Sequence, residues 1–318
     1  MGESECSPPT MPTGNLVISV IIVNWNSGDL LGRNLASLEA HNDVSGVEAV
    51  VVDNGSTDGS LEAAAAFTWA RVVRLGENRG YGAASNAGAR SARAPLLLLL
   101  NPDVLHTPDN LARLADALSR RPDAAGVCGS LEDEQGRKQR GFQLRRHLTP
   151  GWGLVALLWP PSIWSRCPIL RRYYYGDRDW EREFRVEQPA ATCLLLRRSA
   201  FEQVGGFDES FYPAWFEDVD LCRRLADHGA ELWYTAAAPF RHQGGYSLAR
   251  TGREAFAEMF WRNCLRYFRK HYPAFARIFR WLLPPALVWR ALLAIPRPGR
   301  SGIYLRLAGR FCRQEARW

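Results

Sequence analysis

The chain has 318 residues, 47% of them hydrophobic, and a formal net charge of +7. This length allows one large domain or a core with an appendage. The seven cysteines are odd in number and form no Cys-x-x-Cys pair, so they suggest neither a disulfide framework nor a zinc ribbon, and a reducing cytosol is the natural compartment. No base-reading or RNA-stacking motif accompanies the basic charge, so we expect no nucleic-acid partner.

Charge is distributed unevenly along the chain. Residues 241–318 contain sixteen Lys and Arg against three Glu, a local balance of +13, so the remainder carries −6. This arrangement favours a catalytic body with a basic C-terminal extension that contacts an anionic surface. Residues 1–14 are polar and rich in Pro and Ser, which predicts a disordered tail and not a secretory signal.

The first half of the chain alternates strand and helix patterns. The predicted strands are 17–23, 47–52, 71–75, 96–100 and 125–128, and the predicted helices are 29–38, 60–67, 86–91 and 109–120. Such repetition predicts an open, mostly parallel α/β sheet covered by helices on both faces. Ligands of these sheets bind beyond the carboxyl ends of the strands. Asn24, Asp53 and Asp103 fall at such ends, so we expect one shared site there.

A glycine-rich segment after the third predicted strand, Gly80-Tyr81-Gly82-Ala83-Ala84-Ser85, nearly matches the dinucleotide-binding fingerprint. Ser85 replaces the third glycine, and the fingerprint belongs to the first turn of a βαβ unit, where this chain has no glycine cluster. The segment therefore argues against a nicotinamide-dependent dehydrogenase. Its glycines still allow the backbone to approach a ligand closely.

Three carboxylates, Glu217, Asp218 and Asp220, lie at the start of a predicted amphipathic helix. Carboxylates this close repel one another unless a cation, a proton or a ligand needs them. Alternatively, acidic residues in a first helical turn interact with the helix dipole and cap free N–H groups. Both interpretations stay open for Glu217 and Asp220. For Asp218 the active-site interpretation is favoured, because other motifs point to the same site.

Six segments together resemble the family 2 glycosyltransferases with the GT-A fold. They are 17–26, 51–60, 77–88, 99–103, 205–209 and 216–221, in the order in which the family has them. The set is most similar to the rhamnosyltransferase-like branch, whose members build bacterial cell-surface glycans on lipid carriers. The resemblance implies a GT-A domain over 15–247, with a mostly parallel sheet flanked by helices, and a basic helical extension over 248–318.

The resemblance also implies a site for a nucleoside-diphosphate sugar donor. Asp53 matches the aspartate that accepts a hydrogen bond from a uracil or thymine ring, with turn capping as its alternative role. Asn24 and Asn26 match residues that line the nucleotide pocket. The other donor-binding residues that it implies are Asn54, Asn78, Arg79, Gly80, Gly82, Asn86, Asn101 and Asp103.

A divalent cation, Mg²⁺ or Mn²⁺, is implied as the cofactor. Asp103 matches the last residue of the family's Asp-x-Asp motif, which holds the metal against the donor diphosphate. Asn101 stands where many relatives have Asp, so diphosphate oxygens and water must complete the metal's shell. His242 matches a histidine that often binds the metal or diphosphate, although a lone histidine is as often structural.

The implied chemistry is a single displacement that inverts the anomeric carbon. Asp218 matches the catalytic base that takes the proton of an acceptor hydroxyl. We expect Glu217 to position Asp218 or to bind the acceptor. Asp220 is expected to pair with Arg223 or Arg224 on the same helix.

Two segments fall outside the matched motifs. Residues 148–186 begin with a Trp- and Pro-rich stretch, which we interpret as an acceptor-side lid or a membrane-facing loop, or as an ordinary insertion packed on the core. Residues 256–296 have a helical pattern with aromatics beside arginines, broken by Pro284 and Pro285. This pattern argues against a transmembrane helix and for an interfacial surface, or for an appendage packed on the core.

The sequence therefore predicts a metal-dependent inverting hexosyltransferase, peripheral at the inner face of the cytoplasmic membrane. It would move a sugar, with rhamnose as the candidate, from a dTDP- or UDP-sugar to a hydroxyl of a lipid-linked glycan in cell-wall or surface polysaccharide synthesis. A UDP-hexose transferase with a soluble acceptor and a catalytically inactive sugar-nucleotide-binding subunit are the alternatives. The oligomeric state is left open.

Overall fold

A computed structural model describes residues 17–41, 46–159, 165–244, 252–294 and 298–313. The predicted tail at 1–14 lies outside the described residues. The boundary between the predicted catalytic domain and its extension, at 247 and 248, lies outside them as well, as do Pro160, Pro161 and Trp164 of the predicted insertion.

The strands are β1 Ile18–Asn24, β2 Val47–Asp53, β3 Arg71–Arg74, β4 Leu96–Leu100, β5 Val104–Leu105, β6 Ala124–Glu132, β7 Leu144–Arg145, β8 Phe184–Val186, β9 Gln188–Pro189, β10 Cys193–Arg197 and β11 Glu231–His242. The helices are α1 Leu30–Ala40, α2 Ser60–Ala64, α3 Tyr81–Ser91, α4 Asn110–Ser119, α5 Pro150–Leu158, α6 Pro168–Tyr173, α7 Arg198–Gln203, α8 Glu217–Asp227, α9 Arg253–His271, α10 Pro273–Leu293 and α11 Pro298–Arg313. The five predicted strands and four predicted helices all correspond to elements of this fold.

A nine-stranded sheet forms the centre of the molecule in the order β3-β2-β1-β4-β10-β6-β11-β5, with β8 paired to β11. Strands β1 to β4 run parallel, as predicted. Strand β10, which was not predicted, runs antiparallel between β4 and β6. Its five-residue apolar sequence could equally belong to a buried helix, because periodicity does not separate the two in so short a run. The small strands β7 and β9 form a second sheet.

Helices cover both faces of the sheet, and each face has its own core. Leu31, Leu35 and Leu38 of α1 pack on one face. Helix α3 packs on the other face through small residues, and a Cβ atom on Gly88 would lie 2.5 Å from the Ile21 side chain. The close approach requires small residues on this side of α3. Because Gly and Ala give little hydrophobic periodicity, the sequence pattern did not show that α3 begins five residues earlier than predicted.

A third core lies between the C-terminal helices and the segment that carries α5. It includes aromatic residues that the sequence suggested for an interfacial surface: Trp261, Tyr267 and Phe268 are buried there. Trp281 and Trp289, by contrast, are 57% and 46% exposed. The predicted basic-aromatic surface is therefore divided between a packed side and an open side.

Helix α10 continues through Pro284 and Pro285, which lie inside it. The sequence pattern had suggested that these prolines break the helical segment. Of the helices among the described residues, none has the length and apolar character needed to cross a membrane.

Candidate active site

The carboxyl ends of β1 and β2 place Asn24 directly beside Asp53, as the parallel register requires. Both side chains are buried. The Asn24 amide donates hydrogen bonds to Asp53 Oδ1 at 3.2 Å and to the hydroxyls of Ser56 and Ser60, both at 3.0 Å. Among the described residues, Asp53 Oδ2 receives no hydrogen bond. Asn24 thus fixes a carboxylate that keeps one oxygen for a ligand.

The loops after β1, β2 and β3 form one connected rim. Asn26 adopts a left-handed conformation, and its Oδ1 accepts the Thr57 N–H at 2.7 Å. Asn54 joins the next two loops, because its Oδ1 accepts the Arg79 N–H at 2.8 Å and its Nδ2 donates to Asn78 at 3.1 Å. These predicted donor-binding residues therefore lie together at one edge of the sheet.

Gly80 and Gly82 lie at the start of α3, where the backbone meets another segment closely. Gly80 has φ +87°, and a Cβ atom there would lie 2.9 Å from the carbonyl oxygen of Pro213. A Cβ on Gly82 would lie 3.7 Å from that of Glu217. The glycines thus bring the rim formed by the loops after β1, β2 and β3 against the start of α8.

Asn86 has a different position from the other predicted donor residues. Its Nδ2 donates to Phe207 O at 2.9 Å and to Glu209 at 3.0 Å, and its Oδ1 accepts the Phe207 N–H at 2.9 Å. Both polar atoms of the amide are used within the protein. Asn86 therefore anchors the loop before α8, and its contact with a donor stays a prediction.

Asp103 and His242 meet at the same edge of the sheet. Strand β5 pairs antiparallel with the end of β11, so that His242 lies opposite Val104. The Nε2 atom of His242 is 3.4 Å from Asp103 Oδ2, while its Nδ1 is 2.6 Å from Gln139 Oε1. Because a glutamine oxygen only accepts, Nδ1 carries a hydrogen, and in the neutral ring Nε2 then presents its lone pair toward Asp103.

This pair suits a divalent cation in donor type and direction, since a carboxylate oxygen and a ring nitrogen face one another with the ring held from behind. Among the residues that the structure describes, no three His, Cys, Asp or Glu side chains form a group that could hold a metal. Asn101 lies in the turn before Asp103, where its carbonyl accepts the Val104 N–H. The residues present thus fit a cation that takes its remaining ligands from diphosphate and water.

Asp218 lies in the first turn of α8 and is held on both carboxylate oxygens. Its Oδ1 accepts the Val219 N–H at 2.8 Å. Its Oδ2 faces the guanidinium of Arg145 at 3.3 Å and the amide of Gln188 at 3.4 Å. Arg145 and Gln188 are paired across β7 and β9. Sequence reasoning missed both residues, because nothing in their local pattern distinguishes them.

Glu217 is 7% exposed, and its Oε2 atom has no hydrogen-bond partner among the described residues. Burial and the neighbouring charge of Asp218 raise the pKa of Glu217 well above its usual range. The raised pKa favours the protonated carboxyl group, which can donate a hydrogen bond.

Asp220 is fully buried and points away from this site. Its carboxylate lies 2.7 Å from Arg224 Nε, 2.8 Å from Lys270 Nζ and 2.8 Å from His271 Nε2. The predicted pairing with Arg224 is confirmed, while Arg223 pairs with Asp227 instead. Asp220 therefore joins α8 to α9 of the C-terminal extension.

Residues 19–205 match the sequence model of Glycosyl transferase family 2. The chain belongs to this family. It is 32% identical over 294 residues to N-acetylglucosaminyl-diphospho-decaprenol L-rhamnosyltransferase of Mycobacterium tuberculosis, covering 88% of this chain and 93% of the relative. Validoxylamine A glucosyltransferase of Streptomyces hygroscopicus is 28% identical over 279 residues, covering 80% of this chain and 61% of that protein.

Among solved structures, a mannosyltransferase of Pyrobaculum calidifontis in complex with GDP-Man and Mn²⁺ matches with a TM-score of 0.57 at 18% identity. The match covers 96% of this chain and 89% of that one. At this identity the likeness concerns the fold. The predictions of a GT-A fold and of a rhamnosyltransferase-like member of family 2 are confirmed, and glycosyl transfer is the class of activity.

Proposed function

We propose that the protein transfers a sugar, with rhamnose as the first candidate, from a dTDP- or UDP-sugar to a hydroxyl of a diphospho-polyprenol-linked glycan. The observation that carries this proposal is the meeting of Asp53, the Asp103–His242 pair and Asp218 at one edge of the sheet. The similarity to the mycobacterial L-rhamnosyltransferase over most of both chains supports the choice of sugar and acceptor.

The donor end of the site is the rim around Asp53. Its free carboxylate oxygen is placed to accept the imide hydrogen of a pyrimidine ring, and Asn24 holds it in that orientation. Adenine has no ring N–H that could donate in this way, so the arrangement argues against an adenine nucleotide.

Asp103 and His242 would hold Mg²⁺ or Mn²⁺ beside the donor diphosphate. When bound, the cation offsets the charge that develops on the leaving group. Gln139 keeps the His242 ring turned toward Asp103. The Mn²⁺ in the structurally similar mannosyltransferase agrees with this choice of cation.

Asp218 takes the proton of the acceptor hydroxyl as that oxygen attacks the anomeric carbon. One base and one leaving group on opposite sides of the sugar give inversion. Arg145 and Gln188 orient the base, and the protonated Glu217 donates a hydrogen bond toward the reacting sugar. A proposed base together with residues that position it argues against an inactive sugar-nucleotide-binding subunit.

The acceptor's lipid requires a membrane-facing side, and α10 provides one. Exposed apolar residues form one face of this helix; we call it the α10 face, and it consists of Ile278, Trp281, Leu282, Val288, Trp289, Leu292 and Leu293. Leu158 and Trp159 of α5 border this face, and Trp289 donates to the Leu158 carbonyl at 3.1 Å. Such a face suits peripheral binding at the cytoplasmic surface of the membrane.

Electrostatic attraction contributes less to membrane binding than the charge count suggests. Arg306 and Arg310 pair with Glu254 at 2.6 and 2.9 Å, and Lys270 pairs with Asp220. Arg277, beside the α10 face, is exposed and forms no ion pair with the described residues. We therefore propose that apolar insertion carries most of the binding and that a few free cations add to it.

The test begins with a thermal-shift screen of sugar nucleotides with Mg²⁺ or Mn²⁺, because a ligand of the native state raises the melting temperature. The selected donor is then incubated with N-acetylglucosaminyl diphosphate carrying a short prenyl chain. We expect a glycosylated product and acceptor-dependent release of nucleoside diphosphate. Donor binding without transfer to any hydroxyl acceptor would instead favour the inactive subunit, and transfer only to soluble sugars would favour the soluble-acceptor enzyme.

A further inference from the structure

A cavity of about 450 Å³ lies between the insertion that carries α5 and α6 and the helices α9, α10 and α11. Its volume is within the range typical of ligand-binding pockets, about 300 to 1,000 Å³. Aromatic and aliphatic side chains form most of its wall, including Trp152, Val155, Phe256, Phe260 and Trp261. The catalytic role assigned above to Asp218 makes no use of this space.

One end of the cavity reaches the reacting groups. Arg145 lines the cavity and lies 3.3 Å from Asp218. Phe142 also lines it, and its ring stacks on that of His242 with 5.6 Å between the ring centroids. The cavity therefore begins beside both the proposed base and the proposed cation-binding pair.

The other end of the cavity reaches the side of the protein with the α10 face. Trp159 lines the cavity and is itself 37% exposed. Arg290 fixes this end, because its guanidinium donates to the carbonyl oxygens of Leu157 at 3.3 Å and of Trp159 at 2.9 Å. The cavity thus connects the proposed membrane side with the catalytic residues.

The charge in the wall has one sign. The described residues that line the cavity include three arginines, Arg145, Arg253 and Arg290, and no Asp or Glu. The Nε atom of Arg145 is buried without a partner among the described residues. Arg253 is exposed and forms no ion pair with them. An apolar wall with three arginines and no acidic side chain among its described residues suits a ligand that has a hydrocarbon chain and an anionic group.

We infer that this cavity binds the first isoprene units of the lipid-linked acceptor, with the acceptor's phosphate near Arg145 and Arg253. The inference rests on the proposed function and adds to it the place where the lipid binds. Only the start of a long polyprenyl chain fits in a space of this size, so the rest of the chain stays in the membrane beside the α10 face. The acceptor sugar then lies at Asp218.

The test compares two acceptors with the donor chosen by the screen, in the absence of membranes. One is N-acetylglucosaminyl diphosphate esterified with farnesol, and the other carries a methyl group instead. The measured quantity is the ratio of kcat/KM for the farnesyl acceptor to that for the methyl acceptor. We expect the wild-type protein to prefer the farnesyl acceptor by about tenfold or more, as differences in apolar contact allow.

Two variants narrow the cavity from opposite walls, Val155→Trp on α5 and Ala257→Phe on α9. Both should lower the ratio toward one. The matched control is Ile169→Trp, which adds the same ring on α6 at an exposed position that does not line the cavity and should keep the wild-type ratio. Donor-induced thermal shifts report whether each variant is folded.

The possible results separate the inference from the proposed function. If the wild-type protein uses both acceptors equally, or if folded narrowing variants keep its preference, the cavity does not bind the lipid although the proposed function stands. If the wild-type protein glycosylates neither acceptor with any donor, the proposed function fails and the inference fails with it.

Discussion

The guanidinium of Arg145 lies 3.3 Å from the carboxylate of Asp218, and this contact joins the small β7–β9 sheet to the first turn of α8. Gln188 reaches the same carboxylate oxygen from the neighbouring strand. Two side chains from a short, irregular part of the chain thus orient the residue that the sequence motif marks as the base.

Asp218→Asn should abolish transfer while donor affinity stays close to wild type. Asparagine keeps the size of the side chain and can still contact Gln188, but it does not accept the proton, so we expect a loss of about 10²- to 10⁴-fold in kcat. Steady-state kinetics and donor titration measure the two effects separately. Asp227→Asn, at the far end of the same helix, is the control, and turnover of Asp218→Asn within about tenfold of wild type would exclude the base role.

Glu217→Gln should stabilise the protein at neutral pH and lower its activity. Because burial raises the pKa of Glu217 in the folded state, the unfolded chain ionises first as pH rises, and stability falls above the unfolded pKa of about 4.3. Glutamine removes this loss. At pH 7.5 the free energy of unfolding of the variant should therefore exceed that of the wild type by on the order of 1 kcal/mol, whereas below pH 4 the two should be equal. Urea denaturation at several pH values measures the difference, and a variant less stable than wild type at pH 7.5 would contradict the buried, protonated state.

Chelation with EDTA should stop transfer, and Asp103→Ala should weaken donor binding only when Mg²⁺ or Mn²⁺ is present. The reason is that Asp103 and His242, which lie 3.4 Å apart, are proposed to share the cation. Calorimetric titration with the donor, with and without the metal, separates this effect from loss of folding. Asp116→Ala removes an exposed carboxylate of α4 as a control, and full activity in chelator would show a metal-free enzyme.

The triple variant Ile278→Gln, Trp281→Gln, Leu292→Gln should lose most of its binding to anionic vesicles. All three side chains are more than half exposed on the α10 face, so their replacement should leave folding intact. Leu305→Gln, an equally exposed leucine on α11, is the control. Co-sedimentation at increasing salt should reduce wild-type binding only in part. Retained binding of the triple variant would assign membrane contact to another surface.

Asp208→Asn should destabilise the protein at neutral pH but much less in acid. Burial tends to raise the pKa of Asp208, but hydrogen bonds from Lys270 and Ser210 lower it to about 2. The carboxylate therefore contributes stability above its unfolded pKa of about 3.9, and this contribution is lost as pH falls toward about 2. Because solvent screens this partly exposed ion pair, we expect the free energy of unfolding at pH 7 to be lower in the variant by on the order of 1 kcal/mol. Thermal unfolding at pH 7 and at pH 3 measures it, and an equal difference at both would contradict the ion pair with Lys270.

The donor side of the site could be predicted because it depends on local rules. Parallel strands end at a common edge, so polar residues that follow buried strands, such as Asn24, Asp53 and Asp103, meet there without further information. The start of α8 was predicted in the same way, from an acidic first turn and an apolar helical period. These inferences need only the neighbours of each residue in the sequence.

The proposed acceptor side could not be predicted because it depends on distant packing. Arg145 contacts Asp218 only after β7 pairs with β9, two strands of two residues each. In α10, apolar residues occur on two faces, and the periodicity alone does not tell which face the core covers. Phe279 is buried against Trp261 and Phe268 of α9, while Trp281, two residues later, is exposed.

The capping of α5 by Arg290 affects how acceptor preference could be exchanged between relatives. The guanidinium binds the last carbonyls of α5, and Gly153 of α5 leaves room for the Phe268 ring of α9, where a Cβ atom would lie 2.5 Å away. The two segments therefore form one packed unit although they are far apart in sequence. A chimera that takes only one of them from another family member would combine mismatched surfaces. Residues 148–186 and 252–313 should be exchanged together.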